Sequence, residues 1–224
     1  MPLSDTIINF YLQLQPPKKL PSGVEVLFPH AQPAVQTIIR TFFSKYYSSE
    51  KKRGLIFGIN PGRLGAGITG INFTAPRQLS NNCGITHPFK ESSEISAEFI
   101  YEMIDAYGGP GVFYDDWFIT PVCQLGFVKQ GKNVNYYDDT NLIKAVSPYI
   151  IQHIEAVLAI GFNQQHCFCI GEDKNYRFLS SLNEKYNWFQ QITPLPHPRF
   201  IMQYKRKDKH QFIAQYIDAL TAGR

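Results

Sequence analysis

The chain has 224 residues, of which 44% are hydrophobic, and it carries a formal net charge of +4 at pH 7. This length and composition are typical of one globular domain with a sizeable core, and they exclude an intrinsically disordered chain. No apolar stretch approaches the roughly 20 residues of a membrane-spanning helix, and no signal peptide opens the chain. We therefore expect a single domain over residues 1–224 that is cytoplasmic and has no membrane partner.

The first third of the chain is expected to lead into one buried strand. Apolar spacing predicts helices over residues 4–14 and 34–47, separated by a proline-rich connector and a short extended segment at residues 24–27. A short apolar run at residues 55–59 then predicts a strand that is buried on both faces. The next segment, residues 67–89, is long and lacks periodicity. Connections of this length inside a compact domain are usually functional.

Helices and strands alternate through the rest of the chain. Helices are predicted over residues 92–107, 140–153, 163–170, 173–186 and 208–221, and strands over residues 117–122, 156–160 and 189–193. Pro148 predicts a kink or a break in one of the helices. Alternation of this kind produces a mainly parallel sheet with helices on both faces. The predicted fold is therefore α/β, a three-layer α/β/α sandwich with a central four-stranded, mainly parallel sheet.

The four cysteines, Cys83, Cys123, Cys167 and Cys169, form neither a disulfide framework nor a cluster-binding set. The sequence from His166 to Cys169 offers three potential metal ligands, but no second ligand pair of suitable spacing accompanies it. Buried thiols beside the start of a helix are the favoured interpretation. No metal and no cofactor are therefore predicted.

The most informative stretch follows the predicted strand at residues 55–59. It ends at Asn60-Pro61-Gly62, a turn signal, and further glycines at positions 65 and 67 permit close approach of the main chain. Ligands of parallel α/β sheets bind beyond the carboxyl ends of strands, where Asn60 is the first polar side chain. The structural alternative is a simple strand-exit turn. Phe73 follows thirteen residues after Asn60, and Pro196-His197-Pro198-Arg199 stands after the last predicted strand.

These residues resemble the uracil-DNA glycosylase superfamily, and within it the single-strand-selective monofunctional family. That family carries a G-M-N-P-G motif, an aromatic residue at the spacing of Phe73, and an H-P-S-P-R-N-P motif after its last strand. Here the first motif is close, whereas the second keeps only His197-Pro198. The order of motifs and strands covers residues 55–219. The resemblance implies a monomeric, monofunctional DNA glycosylase of base excision repair, with DNA as its partner.

The chemistry of base release explains the residue types. Cleavage of the N-glycosidic bond of a flipped-out base leaves negative charge on the base. A neutral imidazole N–H from His197 can stabilise that charge, and the resemblance assigns Asn60 the positioning of water, because an amide is not a useful base. Phe73 is expected to stack on the base. The backbone between Gly62 and Ala66 is expected to contact the base or a phosphate.

One position departs from the pattern of the resembling family, and it concerns the residue that forms hydrogen bonds with the edge of the base. The resembling family places an Asn at the end of its second strand to read the edge of uracil, and Pro121 aligns with that position. Proline offers only its backbone carbonyl, while the hydroxyl of Thr120 can serve if the strand register differs. Thr120 and Pro121 are therefore candidate base-binding residues. The expected substrate range extends from uracil to xanthine or hypoxanthine.

A basic segment follows His197. Its candidate DNA contacts are Arg199, Tyr204, Lys205, Arg206, Lys207 and Lys209, and Arg63 on the glycine-rich turn is a further candidate. The apolar residues at positions 200–202 resemble a wedge that fills the gap left by a flipped base. A solvated charged face is the alternative.

Two other functions stay open from the sequence. A nucleic-acid-binding or nucleotide-binding module with weak or no catalysis fits the loss of the base-reading Asn. A hydrolase of free nucleosides also fits, but it has no use for the basic segment.

Overall fold

The structure is a computed structural model and describes residues 2–224. Its helices are α1 Leu3–Leu12, α2 Pro33–Tyr46, α3 Ala66–Thr69, α4 Pro76–Asn81, α5 Ile95–Tyr107, α6 Pro110–Asp116, α7 Thr140–Ala159, α8 Lys174–Tyr186, α9 Pro198–Tyr204 and α10 Lys209–Ala222. Its strands are β1 Glu25–Leu27, β2 Gly54–Gly58, β3 Trp117–Pro121, β4 Gly126–Lys129, β5 Lys132–Val134, β6 His166–Ile170 and β7 Gln191–Leu195. Short 3₁₀ turns occur at Pro29–Ala31 and Arg206–Asp208.

The central sheet has four parallel strands in the order β3-β2-β6-β7. Helices α5, α9 and α10 pack on one another, as do α1 and α2, and the helices enclose the sheet in an α/β/α sandwich. The predicted fold class is therefore confirmed. Since β3 and β6 flank β2 on its two sides, the strand order reverses at β2, and the crevice beyond this point is where such sheets bind ligands.

Strand β2 is central because its sequence suits burial on both faces. Leu55, Ile56 and Phe57 are buried, and Phe57 lies opposite Cys169 of β6. A Cβ atom at Gly54 would lie 2.1 Å from the indole ring of Trp117. The glycine therefore allows Trp117 to pack over the start of the strand.

A second, three-stranded antiparallel sheet, β1-β4-β5, lies beside the end of β2. The sequence indicated only an extended segment near β1. A Cβ atom at Gly126 of β4 would lie 2.4 Å from the carbonyl oxygen of Pro61. This close approach brings the small sheet against the glycine-rich turn and places the residues after β5 beside Asn60.

The predictions for residues 156–170 were wrong. Helix α7 continues to Ala159, so the expected strand at residues 156–160 is its last turn, and the expected helix at residues 163–170 contains strand β6. Short apolar runs do not distinguish a buried helix from a buried strand, which explains both errors. Pro148 lies inside α7 without ending it. Cys167 and Cys169 consequently lie in β6, where burial raises the pKa of both thiols.

Among the described helices, α7 alone is long and apolar enough to cross a membrane by length and composition. Core helices of globular domains meet the same criterion. Seven of its residues are buried in the protein, among them Leu142, Val146 and Ile150. Its apolar character is therefore accounted for by packing in the core.

Candidate active site

A cavity of about 460 Å³ opens at the carboxyl-terminal edge of the central sheet. The segments that follow β2, β6 and β7 form most of its wall, and α3, the start of α5 and the turn after β5 complete it. A cavity of this size is in the range of small-molecule sites. Of the predicted site residues, it brings together Asn60, Gly62, Ala66, Phe73, His197, Arg199 and Tyr204.

Asn60 lies two residues beyond β2, and its carboxamide is fixed by the end of β5 and the residues that follow it. Nδ2 donates to the carbonyl oxygen of Val134 at 3.3 Å, and Oδ1 accepts from the backbone N–H of Tyr136 at 3.2 Å. These two bonds set the orientation of the amide plane. Because a carbonyl oxygen has two lone pairs, Oδ1 can still accept a hydrogen bond from a water molecule in the cavity.

Tyr136 and Asn175 extend this polar network. The Tyr136 hydroxyl donates to Oδ1 of Asn175 at 2.7 Å, and Nδ2 of Asn175 donates to the carbonyl oxygens of Gly58 and Ile170 at 3.2 and 2.9 Å. Asn175 therefore joins the ends of β2 and β6, and it is 1% exposed. A satisfied buried network of this kind holds its members in one arrangement.

His197 follows β7 and caps α9. Its Nδ1 accepts the backbone N–H of Arg199 at 3.0 Å. A backbone N–H can only donate, so Nδ1 carries no proton and a neutral ring must carry it on Nε2. Burial lowers the pKa of His197 to about 4, and the nearby Arg199 charge acts in the same direction. The cavity wall thus holds a neutral imidazole with one N–H left to donate.

Phe73 lies beside His197, with ring centroids 6.4 Å apart. Its φ of +52° is in the left-handed region, which is uncommon for a bulky residue and is often found at functional sites. A Cβ atom at Gly58 would lie 2.8 Å from Cε2 of Phe73. The first glycine of the Gly58–Gly62 motif therefore gives the ring its place over the end of β2.

Glu94 is a partly buried carboxylate in the cavity wall. Its Oε1 lies 3.4 Å from Nη2 of Arg199, and a Cβ atom at Gly62 would lie 2.7 Å from the same oxygen. The carboxylate thus fits against the glycine-rich turn and links it to α9. Burial raises the pKa of Glu94, and the Arg199 charge opposes this shift. The charge of Arg199 is therefore already paired within the protein.

The cavity wall does not include Thr120 or Pro121. Thr120 is fully buried, and its hydroxyl bonds to Gln124 Nε2 at 2.8 Å and lies 3.4 Å from the Tyr11 hydroxyl. Pro121 lies beside a second, much smaller cavity. The structure therefore does not place either side chain where it would contact a base in the large cavity, because β3 ends on the other side of β2 from β6.

The basic segment is helical rather than an extended loop. It comprises α9, the following 3₁₀ turn and Lys209, the first residue of α10. We call Lys205, Arg206 and Lys207 the cationic turn, and all three are exposed. Lys209 instead forms an ion pair with Glu102, and its side chain is only 19% exposed. Its charge is therefore compensated, which argues against the predicted phosphate contact.

The aromatic residues of this segment lie at the mouth of the cavity. Phe200 and Tyr204 are 45% and 73% exposed, and their ring centroids are 5.9 Å apart. Ile201 and Met202 are buried, so they do not form an exposed wedge. Arg63 is exposed on the glycine-rich turn, outside the cavity wall.

Sequence reasoning missed four residues of this site, namely Asn72, Glu94, Tyr136 and Asn175. The position of Asn72 directly before Phe73 was a usable signal. The position of Glu94 near the start of a predicted helix did not indicate a site, and nothing local marks Tyr136 or Asn175, whose partners are distant in the chain.

Comparison with known proteins assigns the family. A model described as the uracil DNA glycosylase superfamily matches residues 44–221. The crystal structure of wild-type Pedobacter heparinus SMUG2 is similar with a TM-score of 0.96 and 42% identity, covering 99% of this chain and 98% of that chain. A search of curated proteins gave no match. Both matches support a function of the uracil-DNA glycosylase type, and they confirm the resemblance noted in the sequence: the chain belongs to the uracil DNA glycosylase superfamily.

Proposed function

We propose that the chain is a monofunctional DNA glycosylase of base excision repair that releases a flipped-out deaminated base, namely uracil and also xanthine or hypoxanthine. The observation that carries this proposal is His197, a neutral imidazole whose Nδ1 is occupied and whose Nε2–H remains for a ligand. Family membership supports the reaction class.

The reaction is hydrolysis. The bond between C1′ and the base nitrogen breaks, the electron pair leaves with the base, and the oxygen of water bonds to C1′. That oxygen releases one proton to bulk water, from which the base anion is later protonated. Nε2–H of His197 donates to the oxygen of the base on which negative charge develops. Preorganised donation of this kind contributes about 3 to 4 kcal/mol in comparable sites. Asn60, with its amide plane already fixed, accepts from the attacking water through Oδ1.

The DNA strand is bound both inside the cavity, where the base lies, and at the cavity mouth. Phe73 supplies a planar face for the base, and the exposed rings of Phe200 and Tyr204 at the mouth suit stacking on the neighbouring bases of the strand. The cationic turn supplies positive charge for phosphates, and its contribution is expected to be salt-dependent.

The exposure of Lys174 at the rim of the cavity supports hydrolysis without a covalent enzyme intermediate. Lys174 lines the cavity, but it is exposed and its ammonium group lies 5.8 Å from the centre of the Tyr137 ring. A nucleophilic lysine usually needs burial or a neighbouring cation to lower its pKa. Borohydride should therefore not trap a complex with DNA during turnover, whereas a trapped complex would contradict the monofunctional mechanism.

The test of the function is release of the free base from labelled oligonucleotides that carry uracil, xanthine or hypoxanthine, in single- and double-stranded form. Release that falls sharply in His197→Ala supports the proposal and identifies the substrate. The absence of release from every lesion contradicts it.

A second candidate is a DNA-binding module with weak or no catalysis. Asn60 donates a hydrogen bond to Val134 and accepts one from Tyr136, and both bonds favour this candidate because they give Asn60 a structural role without any reaction. Salt-sensitive binding to DNA without base release would support the module.

A further inference from the structure

Asn72 carries a buried polar atom that has no partner in the protein. The residue is 8% exposed and lines the large cavity, and its Nδ2 lacks a hydrogen bond. An unsatisfied buried amide is costly, so it is rarely retained without a reason. Ser96 also presents an unpartnered buried hydroxyl to this cavity, but a hydroxyl hydrogen can rotate towards other acceptors.

The main chain around Asn72 is held firmly. The hydroxyl of Thr74 donates to the carbonyl oxygen of Asn72 at 3.1 Å, and the backbone N–H of Thr74 donates to Ile71 at 3.1 Å. The hydroxyl of Thr69 donates to the carbonyl oxygen of Thr74 at 2.6 Å. These bonds close residues 69–74 into a compact turn, so the carboxamide is presented from a fixed backbone.

Asn72 and Phe73 meet at the same point of the sheet. A Cβ atom at Gly58 would lie 3.1 Å from Nδ2 of Asn72 and 2.8 Å from Cε2 of Phe73. The amide and the aromatic ring therefore converge on the end of β2. A base that stacks on this ring presents its edge to groups beside the ring, where the amide lies.

Asn72 also lies next to the position where the family's base-reading Asn is missing. Asn72 and Pro121 both border the second cavity, of about 10 Å³, together with His30 and Gln124. The proline cannot read a base with its side chain, whereas the carboxamide of Asn72 offers both a donor and an acceptor.

We propose that Asn72 is the specificity-determining residue of this site, and that its carboxamide binds the edge shared by deaminated bases, a carbonyl next to a ring N–H. Nδ2 donates to that carbonyl oxygen and Oδ1 accepts from the ring N–H. Uracil presents this edge at O4 and N3, and hypoxanthine and xanthine present it at O6 and N1. Cytosine and adenine carry an amino group and an unprotonated ring nitrogen there. This inference rests on the proposed function and explains how one residue can serve a pyrimidine and two purines.

The test compares two enzymes on two bases. Asn72→Leu keeps the side-chain size and removes both hydrogen-bonding groups. Oligonucleotides carry either uracil or pyrimidin-2-one, which has neither O4 nor the N3 hydrogen. Single-turnover rates are measured for all four combinations. The intrinsic lability of each glycosidic bond is the same for both enzymes, so it cancels when their uracil-to-pyrimidinone ratios are compared.

We expect the variant to release uracil about 10- to 100-fold more slowly, as loss of a buried hydrogen-bond pair predicts, and to lose most of its preference for uracil. Its thermal stability should equal or exceed that of the wild type, because an unsatisfied amide has been removed. Gln78→Leu is the matched control, since Gln78 is also a buried amide with one unpartnered atom but lies outside the cavity. Its uracil-to-pyrimidinone ratio should equal that of the wild type.

Three results would overturn the inference. The first is an unchanged uracil preference in Asn72→Leu. The second is an equal loss of preference in the Gln78 control. The third is unfolding of both Asn72→Leu and Asn72→Ala, which would show that the amide is structural. If the wild type releases no base at all, it is the proposed function that fails, and this outcome is distinct from the other three.

Discussion

His197 has two roles, donation of a hydrogen bond from Nε2–H and capping of α9 through Nδ1, and one substitution separates them. His197→Asn removes the Nε2–H donor but keeps a side-chain acceptor for the backbone N–H of Arg199, which His197 now caps at 3.0 Å. Loss of one preorganised donor typically lowers kcat by about 10²- to 10³-fold, or roughly 2.7–4 kcal/mol. We therefore expect a fall of this size in the single-turnover rate of base release, with little change in the denaturation midpoint.

His197→Ala is the matched variant, because it removes both the donor and the cap. Its rate should fall as far as that of His197→Asn, and it should in addition lose about 0.5–2 kcal/mol of stability, the usual cost of a lost helix cap. Release of base at the wild-type rate by His197→Asn would contradict the assigned role of the Nε2–H donor. Rates that follow the stabilities of the two variants would contradict it as well.

The lowered pKa of His197 sets the pH dependence. The folded ring binds a proton only near pH 4, whereas an ordinary histidine does so near pH 6.5. The donor is therefore unchanged as pH falls through 6.5, and a loss of rate caused by His197 should begin only near pH 4. The unfolded chain binds the proton earlier, so the free energy of unfolding decreases from about pH 6.5 towards pH 4. The His197→Asn variant should lack the part of this decrease that His197 causes. His30, whose pKa is also lowered to about 4, contributes the same decrease in the wild type and in the variant.

Three further predictions concern the rest of the site. Asn60→Ala removes the hydrogen bonds to Val134 at the end of β5 and to Tyr136, so urea denaturation should show a loss of about 1–3 kcal/mol together with a slower release of base; an unchanged stability would show that these two bonds do not stabilise the fold. Gly58→Ala places a Cβ atom 2.8 Å from the ring of Phe73, so KM for the damaged strand should rise, whereas Gly111→Ala, with open space around its Cβ position, should leave KM unchanged. Replacing the three residues of the cationic turn by glutamine should weaken binding to single-stranded DNA and reduce the salt slope by about 2; an unchanged slope would place the phosphates elsewhere.

The parts of the fold that the sequence predicted are those with strong local signals. Strands β2 and β3 are short apolar runs bounded by turn residues, and α5 ends at a pair of glycines. The boundary between α7 and β6 was lost because two apolar runs follow each other there, and only tertiary packing decides which one joins the sheet. Helix α9 had a usable signal in Pro198, since proline is common in the first turn of a helix.

The site was predictable to the extent that its residues lie in contiguous motifs. Asn60, Phe73 and His197 meet in one cavity as their positions relative to the strands suggested. Glu94 and Asn175 could not be found in this way, because their roles depend on contacts with residues more than 100 positions away. The pairing of Lys209 with Glu102 is likewise a tertiary contact, and a count of charges along the chain cannot detect it.

The pairing of Arg199 with Glu94 has a consequence for the approach of DNA. Because the charge of that arginine is paired, the exposed cations beside the cavity mouth are those of the cationic turn and Lys174, which stands next to the exposed Glu172 and Asp173 on the part of the rim that follows β6. Asp173 is in turn paired with Arg177, so the unpaired positive charge of the rim is concentrated on the cationic turn. A polyanion that is steered by this field is attracted first to the flank formed by α9 and the 3₁₀ turn. We expect DNA to meet this flank before any base enters the cavity.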